Sequence, residues 1–311
     1  MDKMKRSRQY FVKHLFQGLC MGFAEAIPGV NGATVALLFG IYIRIIDALK
    51  CLTPTNISKL IKSTVFFWRV SDRQQFYVYA HKMQLAFLVP IGLGTLISIW
   101  VLSGFIPMIS GNYPGPFNAF VFGVVAISAY IPLSYLKGIH LKHAVIIIFC
   151  AAATFILVGL PVSDGSHDWL FLYGVMGACA LLLPGISGSY LLKVFGQYEY
   201  LLVNLHKAFL FEISSMVIVG IFILGMVTGI ILFAKILSWL LHYHQSTVMA
   251  ILAGIMIGAL RTLWPSEISD GVAKALPLIG LMLLGGLGMA FLISQEQRIK
   301  SLKTEEEVSR D

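Results

Sequence analysis

The chain is 311 residues long, 58% hydrophobic and 12% charged, with a formal net charge of +8. Soluble domains carry about 25% charged residues; half that density, together with repeated apolar runs near the roughly 20 residues of a bilayer-crossing helix, excludes a soluble fold and predicts an all-α polytopic membrane protein. The four cysteines (Cys20, Cys51, Cys150, Cys179) form no close pair, which excludes a disulfide-built module, and the basic residues flank apolar runs instead of forming an aromatic-interleaved face, which excludes nucleic acid as a partner.

In chain order, residues 1–13 are basic and lead into an apolar stretch without a small-residue cleavage site, so a cytoplasmic start with no cleaved signal is expected. Residues 15–49 are apolar but interrupted by Pro28, Gly29 and Gly32. One straight helix over that stretch would be about 50 Å long, too long for a hydrocarbon core of about 30 Å. Two short helices joined at Pro-Gly, a re-entrant hairpin over 14–50, fit better. Spans at 85–103, 117–136 and 144–160 complete a first half within 51–161. A second broken stretch, 170–206, is interrupted at Pro184, Gly185 and Gly188. Spans at 213–234, 248–263 and 275–293 complete a second half within 207–294, and 295–311 is a polar cytoplasmic tail, frayed or helical in water. The expected architecture is therefore two re-entrant hairpins plus about six full transmembrane helices.

The two broken stretches are copies. At an offset of 156, six of the 15 positions from Pro28 to Tyr42 are identical: Pro28/Pro184, Gly29/Gly185, Gly32/Gly188, Phe39/Phe195, Gly40/Gly196 and Tyr42/Tyr198. Ordinary residue frequencies would give about one. Three spans lie between the hairpins, so the second opens on the face opposite to the first, and the repeat is inverted. Charge placement agrees with this arrangement. It puts 18 of the 23 lysines and arginines on the cytoplasmic side, leaving Lys207 and Lys274 outside and Arg44, Lys193 and Arg261 within apolar segments. Inverted repeats with discontinuous helices are a transporter architecture, with the broken tips meeting near the midplane, where helix N-termini attract anions.

The tips supply the candidate site. Proline ends an incoming helix, glycine lets a ligand approach the backbone, and Asn31, Thr34, Ser187 and Ser189 can cap the outgoing helix or bind a ligand. A packed kink with capping side chains is the alternative at either tip. Glu25 sits in the apolar arm before the first break, where an ionised carboxylate is costly. It is the candidate proton-coupling group, or else the ion-pair partner of Arg44, Lys193 or Arg261. Lys193 lies on the outgoing arm of the second hairpin, while Arg44 and Glu199 lie near the distal ends of their arms. Arg261 suits bidentate phosphate binding, or snorkelling to the outer interface. The substrate-binding set is thus Glu25, Pro28, Gly29, Asn31, Gly32, Thr34, Pro184, Gly185, Ser187, Gly188, Ser189, Lys193 and Arg261. Gly185-Ile186-Ser187-Gly188 also matches a serine-nucleophile pattern of intramembrane proteases, but that chemistry needs a histidine base, and His242 and His244 are expected far from the second hairpin. The eight histidines show no metal-ligand spacing, so no metal and no cofactor are expected.

The stretch Glu25-Ala26-Ile27-Pro28-Gly29-Val30-Asn31-Gly32-Ala33-Thr34 followed by Gly40-Ile41-Tyr42 resembles the first signature of the bacterial polyprenyl-phosphate transporter family. Leu183-Pro184-Gly185-Ile186-Ser187-Gly188-Ser189 with Gly196-Gln197-Tyr198-Glu199 resembles its second, and 257–265 is similar to a third. The chain departs from the usual pattern at Asn31, where serine is usual, at Ala33, where a second glycine is usual, and at Ile43, where an acid often follows the tyrosine. The resemblance implies a translocase, not an enzyme, that returns undecaprenyl phosphate from the outer to the inner leaflet of the bacterial cytoplasmic membrane for reuse as the cell-wall carrier lipid. A carrier for a small water-soluble anion is the alternative, and an intramembrane serine protease a third.

Overall fold

The computed structural model describes residues 2–26, 31–65, 70–102, 112–136, 138, 140–159, 167–185, 188–265, 267–268 and 271–308. Every regular element among them is helical: α1 (Asp2–Ala26), α2 (Gly32–Leu38), α3 (Tyr42–Lys50), α4 (Pro54–Val65), α5 (Val70–Lys82), α6 (Leu85–Leu102), α7 (Pro114–Ser128), α8 (Tyr130–Ser134), α9 (Leu141–Leu157), α10 (Leu170–Leu182), α11 (Gly188–Val194), α12 (Tyr198–Phe209), α13 (Ile213–Tyr243), α14 (Gln245–Ala259) and α15 (Val272–Val308), with 3-10 turns at His167–Trp169 and Leu260–Leu263. Five segments are long and apolar enough to cross a bilayer: Leu85–Leu102, Pro114–Ser134, Ile213–Tyr243, Gln245–Leu263 and Val272–Gln295. Where a sixth span is expected, α9 has 17 residues, about 26 Å of helix and slightly short of the hydrocarbon core. Large apolar side chains stay exposed along these helices, among them Leu96, Trp100, Phe149, Leu224, Leu283 and Leu287. Water would penalise such a surface; lipid tails do not. The chain is a multi-pass membrane protein.

Two pairs of helices approach until backbone meets backbone, and each pairing occurs twice. On α1 and α6, a Cβ at Gly18 would strike the Ile91 carbonyl and one at Gly94 the Leu15 carbonyl. On α10 and α13, Gly174 faces the Phe222 carbonyl and Gly225 the Phe171 carbonyl. Adding 156 to the α1 numbers and 131 to the α6 numbers converts the first set into the second. Likewise Gly123 of α7 abuts the Met282 carbonyl of α15, and Gly254 of α14 abuts the Ile147 carbonyl of α9. Glycine is needed at each crossing because any side chain would force the helices apart.

The broken segments repeat each other as well. Both α2 and α11 end in a glycine with left-handed backbone, Gly40 at φ 65° and Gly196 at φ 67°, a conformation that costs other residues their Cβ clearance. The amide beyond each glycine reaches five residues back, Ile41 N–H to the Ala36 carbonyl and Gln197 N–H to the Leu192 carbonyl, both at 2.9 Å. These bonds close the helix ends in the Schellman manner. After each turn the chain comes back to the level of its start. Arg44 of α3 donates to the Tyr10 hydroxyl of α1 at 2.6 Å, and Tyr200, 156 residues after Arg44, stacks on His167 with ring centroids 3.6 Å apart.

Helix α13 touches both broken segments, packing on α10 and α12 of the second and on α3 of the first. At one end Ser215 donates to Asn204 Oδ1 at 3.0 Å. At the other, Ser238 donates to Asp47 Oδ1 at 2.6 Å, and Lys50 Nζ donates to the same oxygen at 3.0 Å. Between the first broken segment and α6, residues 54–65 and 70–82 fold as α4 and α5, packed on each other. Helix α13 runs on to Tyr243, beyond the 213–234 span, and α15 carries the polar tail as unbroken helix to Val308.

Candidate functional site

The first tip is held by Asn31. Its backbone is extended (φ −133°, ψ 140°) and its Oδ1 accepts the Ala33 N–H at 2.7 Å, the N-cap geometry that a short polar side chain supplies. Its Nδ2 donates to the Ala180 and Leu183 carbonyls of the second half, each at 3.1 Å. Beyond the Leu183 N–H, which bonds the Ala180 carbonyl at 3.1 Å, α10 offers no further donors to its last carbonyls, because Pro184 has no N–H and ends the helix. Tyr42 supplies another donor, its hydroxyl reaching the Leu182 carbonyl at 2.8 Å. Asn31 and Tyr42 are 1% and 2% exposed, so two side chains of the first broken segment close the open helix end of the second.

Glu25, one residue before the end of α1, accepts the Gly32 N–H on its Oε2 at 2.8 Å. A carboxylate therefore occupies the first amide of α2, the position at which sequence placed an anionic ligand. A Cβ on Gly32 would lie 3.2 Å from that oxygen and 3.2 Å from the Met21 carbonyl. The matching glycine, Gly188, stands 3.1 Å by the same measure from the Gly177 carbonyl, again an offset of 156. Thr34 is buried in the first turn of α2. At the second tip, Pro184 and Gly185 are buried. Gly185 has φ 90° and lies against Met256 of α14, whose Cα would be 2.8 Å from an added Cβ. Pro28, Gly29 and Ser187 lie outside the described residues. Ser189 and Lys193 fall within α11 and Glu199 within α12, described by backbone alone.

Arg261 sits in the 3-10 turn after α14. Leu263 of that turn belongs to one apolar cluster with Ala24, Val121 and Val125, and Leu260 packs against it. The Arg261 guanidinium donates to the Phe155 carbonyl at 2.8 Å and lies 4.4 Å from the Phe155 ring centroid. Glu25 and Arg261 are therefore bonded to different partners, Glu25 to the Gly32 N–H and Arg261 to the Phe155 carbonyl. Arg44 is engaged with Tyr10 and Gln84, not with Glu25. The His242 ring, distant in sequence from the second tip, bonds the Ser238 carbonyl at 2.8 Å and faces Asp47 of α3 at 3.6 Å. A cavity of about 250 Å³ lies beyond the opposite end of α2, between Leu37, Leu38, Ile131, Tyr135 and Ile293.

Sequence reasoning missed Tyr42 as a site residue, although its identity with Tyr198 marked it. It assigned Asn31 as cap or ligand. In the structure the Asn31 Nδ2 bonds the Ala180 and Leu183 carbonyls and its Oδ1 accepts the Ala33 N–H, so the side chain caps one helix and reaches the end of another.

An all-helical multi-pass protein with two matched helix breaks bonded to each other belongs by its architecture among membrane transporters. Residues 21–275 match the family described as undecaprenyl phosphate translocase-like, and the chain belongs to that family. It is 30% identical over 260 residues to a polyprenyl-phosphate transporter of Vibrio cholerae, covering 82% of this chain and 78% of the relative. It is 26% identical over 268 residues to a polyprenyl-phosphate transporter of Staphylococcus aureus, covering 81% and 86%. No solved structure matches it.

Proposed function

We propose that the protein carries the phosphate head of a polyprenyl phosphate, undecaprenyl phosphate in a bacterial cytoplasmic membrane, from the outer to the inner leaflet for reuse, with no covalent chemistry. The observation that carries this reading is the joined pair of tips, where Asn31 and Tyr42 bind the α10 carbonyls while Glu25 covers the Gly32 amide. Non-helical backbone at membrane depth persists only where protein or a cavity satisfies it, and here the two halves satisfy each other. The head is a small anion, and its tail stays in lipid. The substrate-binding set expected from sequence stands as part of this reading, with Glu25 coupling a proton to the head. The name shared by the two relatives supports the choice of substrate. Cells lacking the protein should expose more polyprenyl phosphate at the outer leaflet, measured with a phosphate-specific lipid probe. Unchanged exposure together with impaired uptake of a soluble anion would transfer the assignment to an ordinary anion carrier.

We also propose that the halves are inverted repeats, each opening with a re-entrant hairpin, and that both termini are cytoplasmic. The repeated glycine contacts and the matched returns at Arg44 and Tyr200 support the repeat. Asp168 and Gln74 are both exposed and fall on opposite faces in this arrangement. In a protein with its four cysteines replaced, an impermeant thiol reagent applied from outside should label Asp168→Cys and spare Gln74→Cys. The reverse pattern rejects the orientation.

A further inference from the structure

Arg44 is fixed more firmly than a surface arginine needs to be. Its Nε donates to Gln84 Oε1 at 3.1 Å and its Nη2 to the Tyr10 hydroxyl at 2.6 Å. Its Cζ lies 4.1 Å from the centroid of the buried Phe87 ring. That ring is braced edge-on by His14 at 4.9 Å, and His14 meets Tyr10 at 4.3 Å. Gln84 itself adopts left-handed backbone, φ 50°, a conformation unfavourable for a residue with a Cβ. Three other parts of the chain therefore converge on this exposed guanidinium of α3: α1, α6 and the α5–α6 junction.

None of these partners is an acid. Asp47, one turn further along α3, is taken by Lys50 and Ser238 and faced by His242. Lys13, which like Arg44 acts electrostatically on His14, adds to the positive charge. A guanidinium carries five N–H donors. Among the described residues two are used, and Nη1 keeps both of its own, on an exposed side chain. An oriented guanidinium edge without a carboxylate binds phosphate bidentately. Phe16 and Phe23 expose an apolar face of α1 between the level of Tyr10 and Glu25, a stretch of about 22 Å.

We propose that Arg44, set by Tyr10, Gln84 and Phe87, is a second binding site for a phosphomonoester group, at the edge of the face we assign to the cytoplasm, where the lipid head arrives after leaving the tips. This rests on the reading of the chain as a lipid-phosphate carrier. A free phosphate ion presents the same chemistry, and the test separates the two sources.

The test uses the full chain in nanodiscs of neutral phosphatidylcholine, with farnesyl phosphate as the probe and equilibrium binding as the readout. Glu25→Gln in the background holds the tip in one charge state. Two binding steps are expected, one at the tips and one at Arg44, and Arg44→Gln should weaken the second about ten- to a hundredfold, the worth of hydrogen bonds to a charged group, while the first persists. Arg44→Lys, which keeps the charge but not the fork, should recover part of the loss. Unchanged binding in Arg44→Gln overturns the proposal. Competition by phosphatidylglycerol as strong as by farnesyl phosphate also overturns it, leaving a general anchor for anionic lipids. Inorganic phosphate competing at equal affinity keeps the site and assigns it to the free ion. If Arg44→Gln does not fold, Tyr10→Phe and Gln84→Ala decide instead, since each loosens the guanidinium without removing it. Each should weaken binding several-fold, and no change in either overturns the proposal. Transport of polyprenyl phosphate by the unaltered protein in proteoliposomes tests the parent reading separately. Transport with Arg44-independent binding removes this inference alone, and neither transport nor binding removes both.

Discussion

Replacing Asn31 by alanine should destabilise the protein by about 2–4 kcal/mol, lowering the apparent Tm in detergent by on the order of 5–10 °C. Loss of the N-cap on α2 contributes about 1 kcal/mol. The rest comes from the far side of the contact. The Leu183 carbonyl loses its Asn31 donor, and an unsatisfied buried polar group costs about 1–3 kcal/mol. The Ala180 carbonyl suffers less, because it also accepts the Leu183 N–H at 3.1 Å. Asn31→Ser separates the two contributions. Serine can still cap α2 but is too short to reach both carbonyls, so its loss should be intermediate. Asn31→Asp should be the worst of the three, since it keeps the cap but turns an acceptor toward two carbonyl oxygens. Tyr42→Phe removes the bond to Leu182 and should cost about 1 kcal/mol. If all four variants melt together with the parent protein, the two halves are not held through these side chains.

The same residues show what a single sequence can and cannot reveal. The matched glycines were legible because they fall where geometry leaves no choice. Gly40 and Gly196 both need left-handed backbone, and Gly18 and Gly174 both meet a neighbouring carbonyl. Such constraints act on residue type and so survive in the sequence. The bonds from Asn31 to Ala180 and Leu183 join positions 149 and 152 residues apart, and no local pattern encodes which distant carbonyl an amide will meet. Helices α4 and α5 escaped notice for another reason. They are polar and short, with Lys59, Lys62, Arg73 and Lys82 among their residues, so a search for apolar runs passes over them. The partner of Arg261 was not legible either. Its guanidinium bonds the Phe155 carbonyl, 106 residues away in the chain.

Glu25→Gln should leave the protein folded and able to bind a lipid phosphate, while transport loses its dependence on pH. Glutamine keeps an oxygen acceptor for the Gly32 N–H, now bonded to the Glu25 carboxyl at 2.8 Å, so the tip should persist. What changes is charge. An ionised Glu25 grips that amide with a charge-assisted bond, roughly twice as strong as a neutral one, and it repels an incoming phosphate. Two like charges about 4 Å apart at an effective dielectric near 20 interact by about 4 kcal/mol, close to a thousandfold in binding. Protonating Glu25 removes the repulsion and loosens its hold on Gly32, leaving the amide for a phosphate oxygen. Binding of the head and uptake of a proton then favour each other, and by linkage each strengthens the other equally. In the proposed mechanism, release would follow when Glu25 loses its proton on the cytoplasmic side, and an inward proton gradient would drive the lipid inward. In proteoliposomes, the parent protein should bind lipid phosphate more weakly as pH rises through the titration of Glu25 and should respond to an imposed pH gradient, whereas Glu25→Gln should do neither. Glu25→Ala, lacking any acceptor, should also lose stability, which tells the charge effect from the structural one. A Glu25→Gln protein that transports with the parent's pH profile would leave Glu25 as a helix cap and place the proton coupling elsewhere.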